Sequence, residues 1–221
     1  MKVWITKEDI DHALGYSPWD FGNNVLYALC KDHPKHDRAD VIIAKMLLIG
    51  RTYAAAIERR KNAQNTSDDF YTNVVVNEIK ISELDQLLNR LPEKMVKPWT
   101  QLGMVITVHK KLTDIFYDMT ELNKRSLASK YLHFHRPDLF FLYDSRSRES
   151  ISKVTPRLDQ IKNIDAELQD QEYHAFCRRA LHLREFIAKE FGKTLTPRQL
   201  DKILLGITAK IRKDKAESAR K

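Results

Sequence analysis

Sharp changes of chain direction draw on glycine and proline, and this chain of 221 residues holds only six of one and seven of the other. Sandwiches and barrels built from many short strands need frequent turns, so the scarcity points to long helices joined by short connections. Side-chain spacing agrees. From Asp37 to about Asn62, the residues Val41, Ile42, Lys45, Leu48, Ile49, Thr52, Ala55, Ala56 and Arg59 recur at steps of three and four, which predicts one long helix. Its Tyr53-Ala54-Ala55-Ala56 stretch offers small residues where another helix can approach.

Helix signals punctuate the rest of the chain. Thr6 with Asp9 forms a capping pair for a first helix that Gly15 ends. Ser17-Pro18 opens a second, with Phe21, Val25, Leu26 and Leu29 on one face, and Pro34 stops it. Helices are expected over 68–80 and 82–91. Pro98 starts another that reaches about Leu122, with a buried stripe of Trp99, Leu102, Ile106, His109, Leu112, Phe116 and Met119. Ser126 to His135 forms a further helix, ended by Pro137. The apolar run Leu139 to Tyr143 is too short to assign to a strand or a buried loop, and a helix restarts near Ser145. Glu167 to Phe191 is amphipathic and closed by Gly192. Thr196-Pro197 caps the last helix. The fold class is therefore all-α, with eight to ten helices. The expected organisation is one globular unit over 1–221 with two lobes: an N-terminal lobe over 1–95, a C-terminal lobe over 96–210 that carries the site, and a basic tail over 211–221.

Charge narrows the partner. Lysine and arginine outnumber aspartate and glutamate by 38 to 30, a net +8, which favours a polyanion. Half of that excess falls between Lys210 and Lys221. Cys30 and Cys177 have neither metal-ligand spacing nor a disulfide framework, which suits a reducing compartment. Met1 to Thr6 lacks a secretory pattern, and no apolar run approaches the ~20 residues that span a bilayer. A soluble protein of the bacterial cytoplasm or nucleoid is expected. There is no Gly-rich phosphate loop, no Gly-x-Ser-x-Gly and no zinc spacing, so no metal or cofactor is expected. His133 and His135 sit two apart on a helix and face different ways. Nuclease signatures are also missing: Arg178 and His182 are only four positions apart, and Glu78-Ile79-Lys80 lies in helical surroundings.

Ser126 to Arg148 is the segment that suggests chemistry. It reads as a helix, a proline break, a buried apolar anchor and then Asp144, which either caps the next helix or serves as a rigidly held catalytic acid. Lys130 lies 14 residues earlier among Leu127, Ala128, Tyr131, Leu132 and Phe134. A lysine so flanked either snorkels to solvent or is desolvated into a nucleophilic amine.

Ser126-Leu-Ala-Ser-Lys130-Tyr-Leu-His-Phe134 followed by Leu139-Phe-Phe-Leu-Tyr-Asp144-Ser-Arg146 resembles the site region of the helix-hairpin-helix DNA glycosylase superfamily. The resemblance implies a two-lobed helical fold and cleavage of the N-glycosidic bond of a modified or damaged base flipped out of double-stranded DNA. It implies Lys130 as Schiff-base nucleophile, which would add lyase activity, and Asp144 as catalytic carboxylate. The family's hairpin glycines are replaced by Leu122-Asn-Lys-Arg-Ser126, where Asn123 can take the left-handed conformation and Lys124 and Arg125 can meet phosphate. Nucleic-acid contacts are expected from Lys124, Arg125, Ser126, Ser129, Arg146, Arg148 and Arg51, the last either lining a pocket or paired with an internal carboxylate. Tyr131, Tyr143, Trp99 and Tyr53 are the base-stacking candidates. Arg198 and Asp201 read as a surface ion pair. The role expected is DNA repair or defence against phage DNA carrying modified bases. The competing reading is a non-catalytic DNA-binding or protein-interaction module, in which Lys130, Arg146 and Arg148 touch phosphate and Asp144 is only a cap.

Overall fold

A computed structural model of the chain describes residues 5–61, 66–158 and 169–218. Thr6 and Asp9 form the expected reciprocal cap and start α1 (Lys7–Leu14). The next helix, α2 (Asp20–Asp32), turns a different face inward from the one its apolar spacing predicts. Asn23, Leu26 and Cys30 are buried, whereas Phe21 is 72% exposed and Val25 lies open to solvent. The reason is polar. Tyr53 donates its hydroxyl to Asn23 Oδ1 at 2.7 Å, and the Tyr27 hydroxyl bonds His133 Nε2 at 2.6 Å. These bonds fasten the Asn23–Tyr27 face to the interior.

The third helix, α3 (Ala39–Thr52), stops well before Asn62, which itself lies outside the described residues. A Schellman-type end reverses the chain: the Ala55 N–H donates to Gly50 O at 2.7 Å and the Ala54 N–H to Arg51 O at 3.2 Å. Ala54 takes the left-handed conformation, with φ 52°. A Cβ on Gly50 would lie 3.2 Å from Ala56 Cα, so the small residues receive the chain's own return rather than a second helix.

The segment after it is continuous: α4 (Ser67–Asp69), a π-helical stretch Phe70–Val75, and α5 (Val76–Ile81). Then come α6 (Leu84–Asn89), α7 (Pro98–Thr120), α8 (Arg125–His135), α9 (Ser145–Val154), α10 (Gln171–Phe191) and α11 (Pro197–Ser218). The expected start at Glu167 lies outside the described residues, and α10 is capped by Asp170. The basic end expected as a tail from 211 continues α11 as helix to Ser218. Every described element is helical, and no described helix is long and apolar enough to cross a membrane.

Apolar side chains gather in two clusters. One joins α2, α3, residues 70–91, much of α7 and α8; the other joins α1, the first turns of α7, α9, α10 and α11. The two cores thus do not divide near residue 95, because α1 packs with α11 while α8 packs with α2 and α3.

Leu139–Tyr143 crosses between these cores. All five side chains are buried; Leu139 and Phe140 enter the first cluster, Phe141 and Tyr143 the second. No strand pairs with this run among the described residues, so side chains satisfy its backbone. Phe140 O pairs with His133 Nδ1 at 2.9 Å, and Phe141 O accepts from the Tyr173 hydroxyl at 2.9 Å. The Tyr143 N–H donates to Ser129 Oγ at 3.1 Å.

Because an L-residue is disfavoured at positive φ, Ala54→Gly is expected to raise unfolding stability by up to about 1 kcal/mol. Urea denaturation measures it, and a loss of stability would contradict the Schellman assignment.

Candidate functional site

The Leu139–Tyr143 anchor delivers Asp144 to the N-terminus of α9. Its Oδ1 accepts from the N–H groups of Arg146 and Ser147, both at 2.9 Å, and the Ser147 hydroxyl accepts from the Asp144 N–H. Oδ2 has a different neighbour: Lys130 Nζ, at 3.4 Å. The same carboxylate is therefore a helix cap through one oxygen and an ion-pair partner through the other. Lys130 is 2% exposed, donates to Ser126 Oγ one turn earlier at 2.9 Å, and lies 5.6 Å from the centre of the Tyr53 ring.

These groups line a cavity of about 590 Å³. Its walls are Thr52–Ala54 at the end of α3, Ser126 and Lys130 on α8, Leu142, Asp144–Arg146, and Asp201 and Leu205 on α11. The left-handed Ala54 is thus part of the wall, and it turns the chain immediately after Tyr53.

Asp201 is the residue that the sequence reading misplaced. Its pairing with Arg198 is present, with Arg198 Nη1 2.6 Å from Asp201 Oδ2, but the pair is not on the surface, since Asp201 is 5% exposed. Burial pushes its carboxyl up to about 6, against the pull of the Arg198 guanidinium and with the push of the nearby Asp144 charge. Asp144 goes the other way. Burial alone would raise it, but the Lys130 charge and the Ser147 and Arg146 N–H groups outweigh that and hold it below the ordinary carboxylate range. One cavity therefore holds two carboxyls whose environments drive their proton affinities apart, the arrangement that lets one act as acid and the other as base. A signal for Asp201 exists in the sequence: it precedes Leu204 by three positions and Thr208 by seven, which places it beside the buried stripe of α11.

Of the expected contact residues, the structure brings Ser126, Lys130, Asp144, Arg146 and Tyr53 to this cavity and sends the others elsewhere. Tyr131 is fully buried, with its hydroxyl on His36 Nε2 at 2.8 Å, so it stacks on no substrate base. Tyr143 belongs to the second core and donates its hydroxyl to Glu172. Trp99 is 44% exposed at the start of α7 and donates its indole N–H to Glu185. Ser129 is buried against the Tyr143 backbone and cannot meet phosphate.

The hairpin cations are likewise occupied within the protein. Lys124 Nζ donates to the carbonyls of Ala56 and Arg59. Arg125 binds Asp170 at 2.6 Å and Glu172 at 2.8 Å, and Arg148 binds Glu172 at 2.5 Å. Arg51 pairs with Glu58 at 3.0 Å, as one of its two expected roles required, but it is exposed and outside the cavity wall. Arg146 remains exposed at the rim.

A carboxyl raised by folding favours the native state fully below its unfolded pKa of 3.8, and that contribution is lost as pH rises through about 6. Between pH 4 and pH 8 the wild type should therefore lose on the order of 2–3 kcal/mol that Asp201→Asn does not lose. Denaturation of both proteins at the two pH values measures the difference, and parallel pH profiles would contradict the buried placement of Asp201.

The sequence matches no protein-family model, no curated protein and no solved structure, so the chemistry of the site rests on its own geometry.

Proposed function

We propose that the chain is a DNA glycosylase acting on a modified or damaged base. The observation that carries this reading is the Lys130–Asp144 pair beside Asp201 on the wall of a cavity of about 590 Å³, a volume suited to a single nucleoside-sized ligand. Breaking an N-glycosidic bond sends the bonding electron pair to the base nitrogen and leaves positive charge on the sugar. Asp144, held ionised, stabilises that charge and accepts the proton of the water that attacks C1′. Asp201, its carboxyl raised to about 6, delivers a proton to the departing base. Tyr53 offers a ring face on the cavity wall, and Arg146 a cation at its rim for the DNA backbone.

Water is favoured over Lys130 as the nucleophile because the amine is already engaged by Ser126 and Asp144. Lys130 then holds the Asp144 carboxylate in place. The cap made by Asp144 also suits the non-catalytic DNA-binding module, although in that reading Lys130 is too deeply buried to be a phosphate contact.

The test is base release from duplexes carrying modified bases, phage genomic DNA included, with borohydride present to trap an imine. Base release without a covalent adduct is expected, falling by roughly two orders of magnitude or more in Asp144→Asn. The rate is also expected to fall as pH rises through about 6, with that limb missing in Asp201→Asn. An adduct abolished by Lys130→Ala would replace water by the amine. Binding with no released base from any substrate would leave the module reading in its place.

A further inference from the structure

Five of the twelve large apolar side chains that stand open to solvent among the described residues fall between positions 14 and 25: Leu14, Tyr16, Trp19, Phe21 and Val25. Single exposed apolar residues are ordinary, whereas a contiguous group marks a contact surface. Tyr16 and Trp19, each 77% exposed, and Phe21 are the three most exposed aromatics among the described residues. The cause lies in α2. Its inward side is taken by Asn23, Leu26 and Cys30, so Phe21, Val25 and Ala28, at steps of four and three, line its outward side. The turn before the helix, closed by the Asp20 N–H on Ser17 O at 2.8 Å, holds Tyr16 and Trp19 beside that line.

Electrostatics selects the kind of partner. From Ala13 to Cys30 the only charged residue is Asp20, in a chain of which 31% is charged, and Lys202 neutralises it at 2.8 Å. DNA or an anionic bilayer needs cations among the aromatics that meet it, and this stretch has none. What fits it is an uncharged, apolar protein surface. Area selects further. At 72–77% exposure the three aromatic side chains present on the order of 450 Å². One half of a standard interface takes about 800 Å², of which about 65% is apolar in homodimers. The aromatics together with Leu14 and Val25 supply that apolar share.

The surface also contains its own complement. A second cavity, of about 490 Å³, lies between the end of α1, one face of α2, the residues after α8 and the N-terminus of α11, and Leu14 and Tyr16 are on its wall. Projecting aromatics and a hollow that can receive one therefore adjoin on the same patch, as a two-fold contact between identical surfaces requires. We propose that the chain forms a symmetric dimer through the outward face of α2 and the turn that joins it to α1, with Trp19 and Phe21 as the anchors. None of these residues lines the Lys130–Asp144 cavity, so the dimer does not depend on the glycosylase reading.

The test is sedimentation velocity of the full-length protein over a range of micromolar concentrations, without DNA. Expected is a concentration-dependent species of twice the mass of one chain that persists in molar salt, because apolar contacts are not screened. Trp19→Gln and Phe21→Gln should each raise the dissociation constant about tenfold or more. Ile81→Gln, which removes an equally exposed apolar side chain outside the patch, should leave it unchanged. Trp19 and Phe21 both stand in solvent, so the variants should fold, as circular dichroism checks, and either one alone suffices. A species of one chain's mass at every concentration, or a dimer that Trp19→Gln and Phe21→Gln leave intact, would overturn the proposal. So would a monomer that binds a DNA duplex or phosphatidylcholine vesicles through the same two aromatics, which would assign the patch to a nucleic acid or a bilayer instead.

Discussion

A buried non-helical segment must pair its backbone with something, and among the described residues Leu139–Tyr143 has no neighbouring strand to pair with. It uses His133, Tyr173 and Ser129 instead, drawn from α8 and α10. Leaving such groups unpaired in the interior costs roughly 1–3 kcal/mol each, a large share of a net stability of only about 5–15 kcal/mol. The three side chains therefore fix the register of the run, and its passage from the first core at Leu139 and Phe140 into the second at Phe141 and Tyr143 fixes it again. A slip of one residue would carry Phe140 into the second core or Phe141 into the first, depending on its direction. Asp144 is the next residue along, so the position of its carboxylate is inherited from this arrangement and does not depend on a mobile loop.

The same logic explains why the hairpin cations face inward. Arg125 joins the start of α8 to Asp170, which caps α10, and Glu172 ties Arg125 to Arg148. Burial pulls His109 down to about 4, so it packs neutral against Tyr173, with ring centres 3.6 Å apart, and bonds the Arg125 carbonyl through Nε2. The ends of α8, α9 and α10 are thus clasped around the anchor by compensated charge. A basic sequence does not by itself mean an equally basic surface, since several of the cations are consumed in holding helix termini together.

Much of the architecture was legible because it depends on local signals. The Thr6–Asp9 box, Pro98 at the head of α7, Gly192 after α10 and Thr196-Pro197 before α11 each act within one turn, and each marks the expected boundary. The end of α3 was not legible, because apolar periodicity continues past Thr52 while the reversal depends on Gly50 meeting Ala56 after the chain has folded back. The inward face of α2 was hidden for a related reason: two tyrosine hydroxyls from a distance decide it, not the apolar stripe. In the site, Lys130 and Asp144 were found together through a spacing that spans one anchor. Asp201 was missed because a carboxylate three residues from an arginine looks like a surface pair unless its place beside the buried stripe of α11 is weighed.

Arg198 lines one cavity while its carboxylate partner Asp201 lines the other, so the two spaces share a single ion pair as their partition. The guanidinium draws the Asp201 carboxyl towards its ionised form, and a proton taken up by Asp201 removes the counter-charge that Arg198 faces. A change of charge on one side of the partition is therefore felt on the other, through one side chain and without any movement of the backbone.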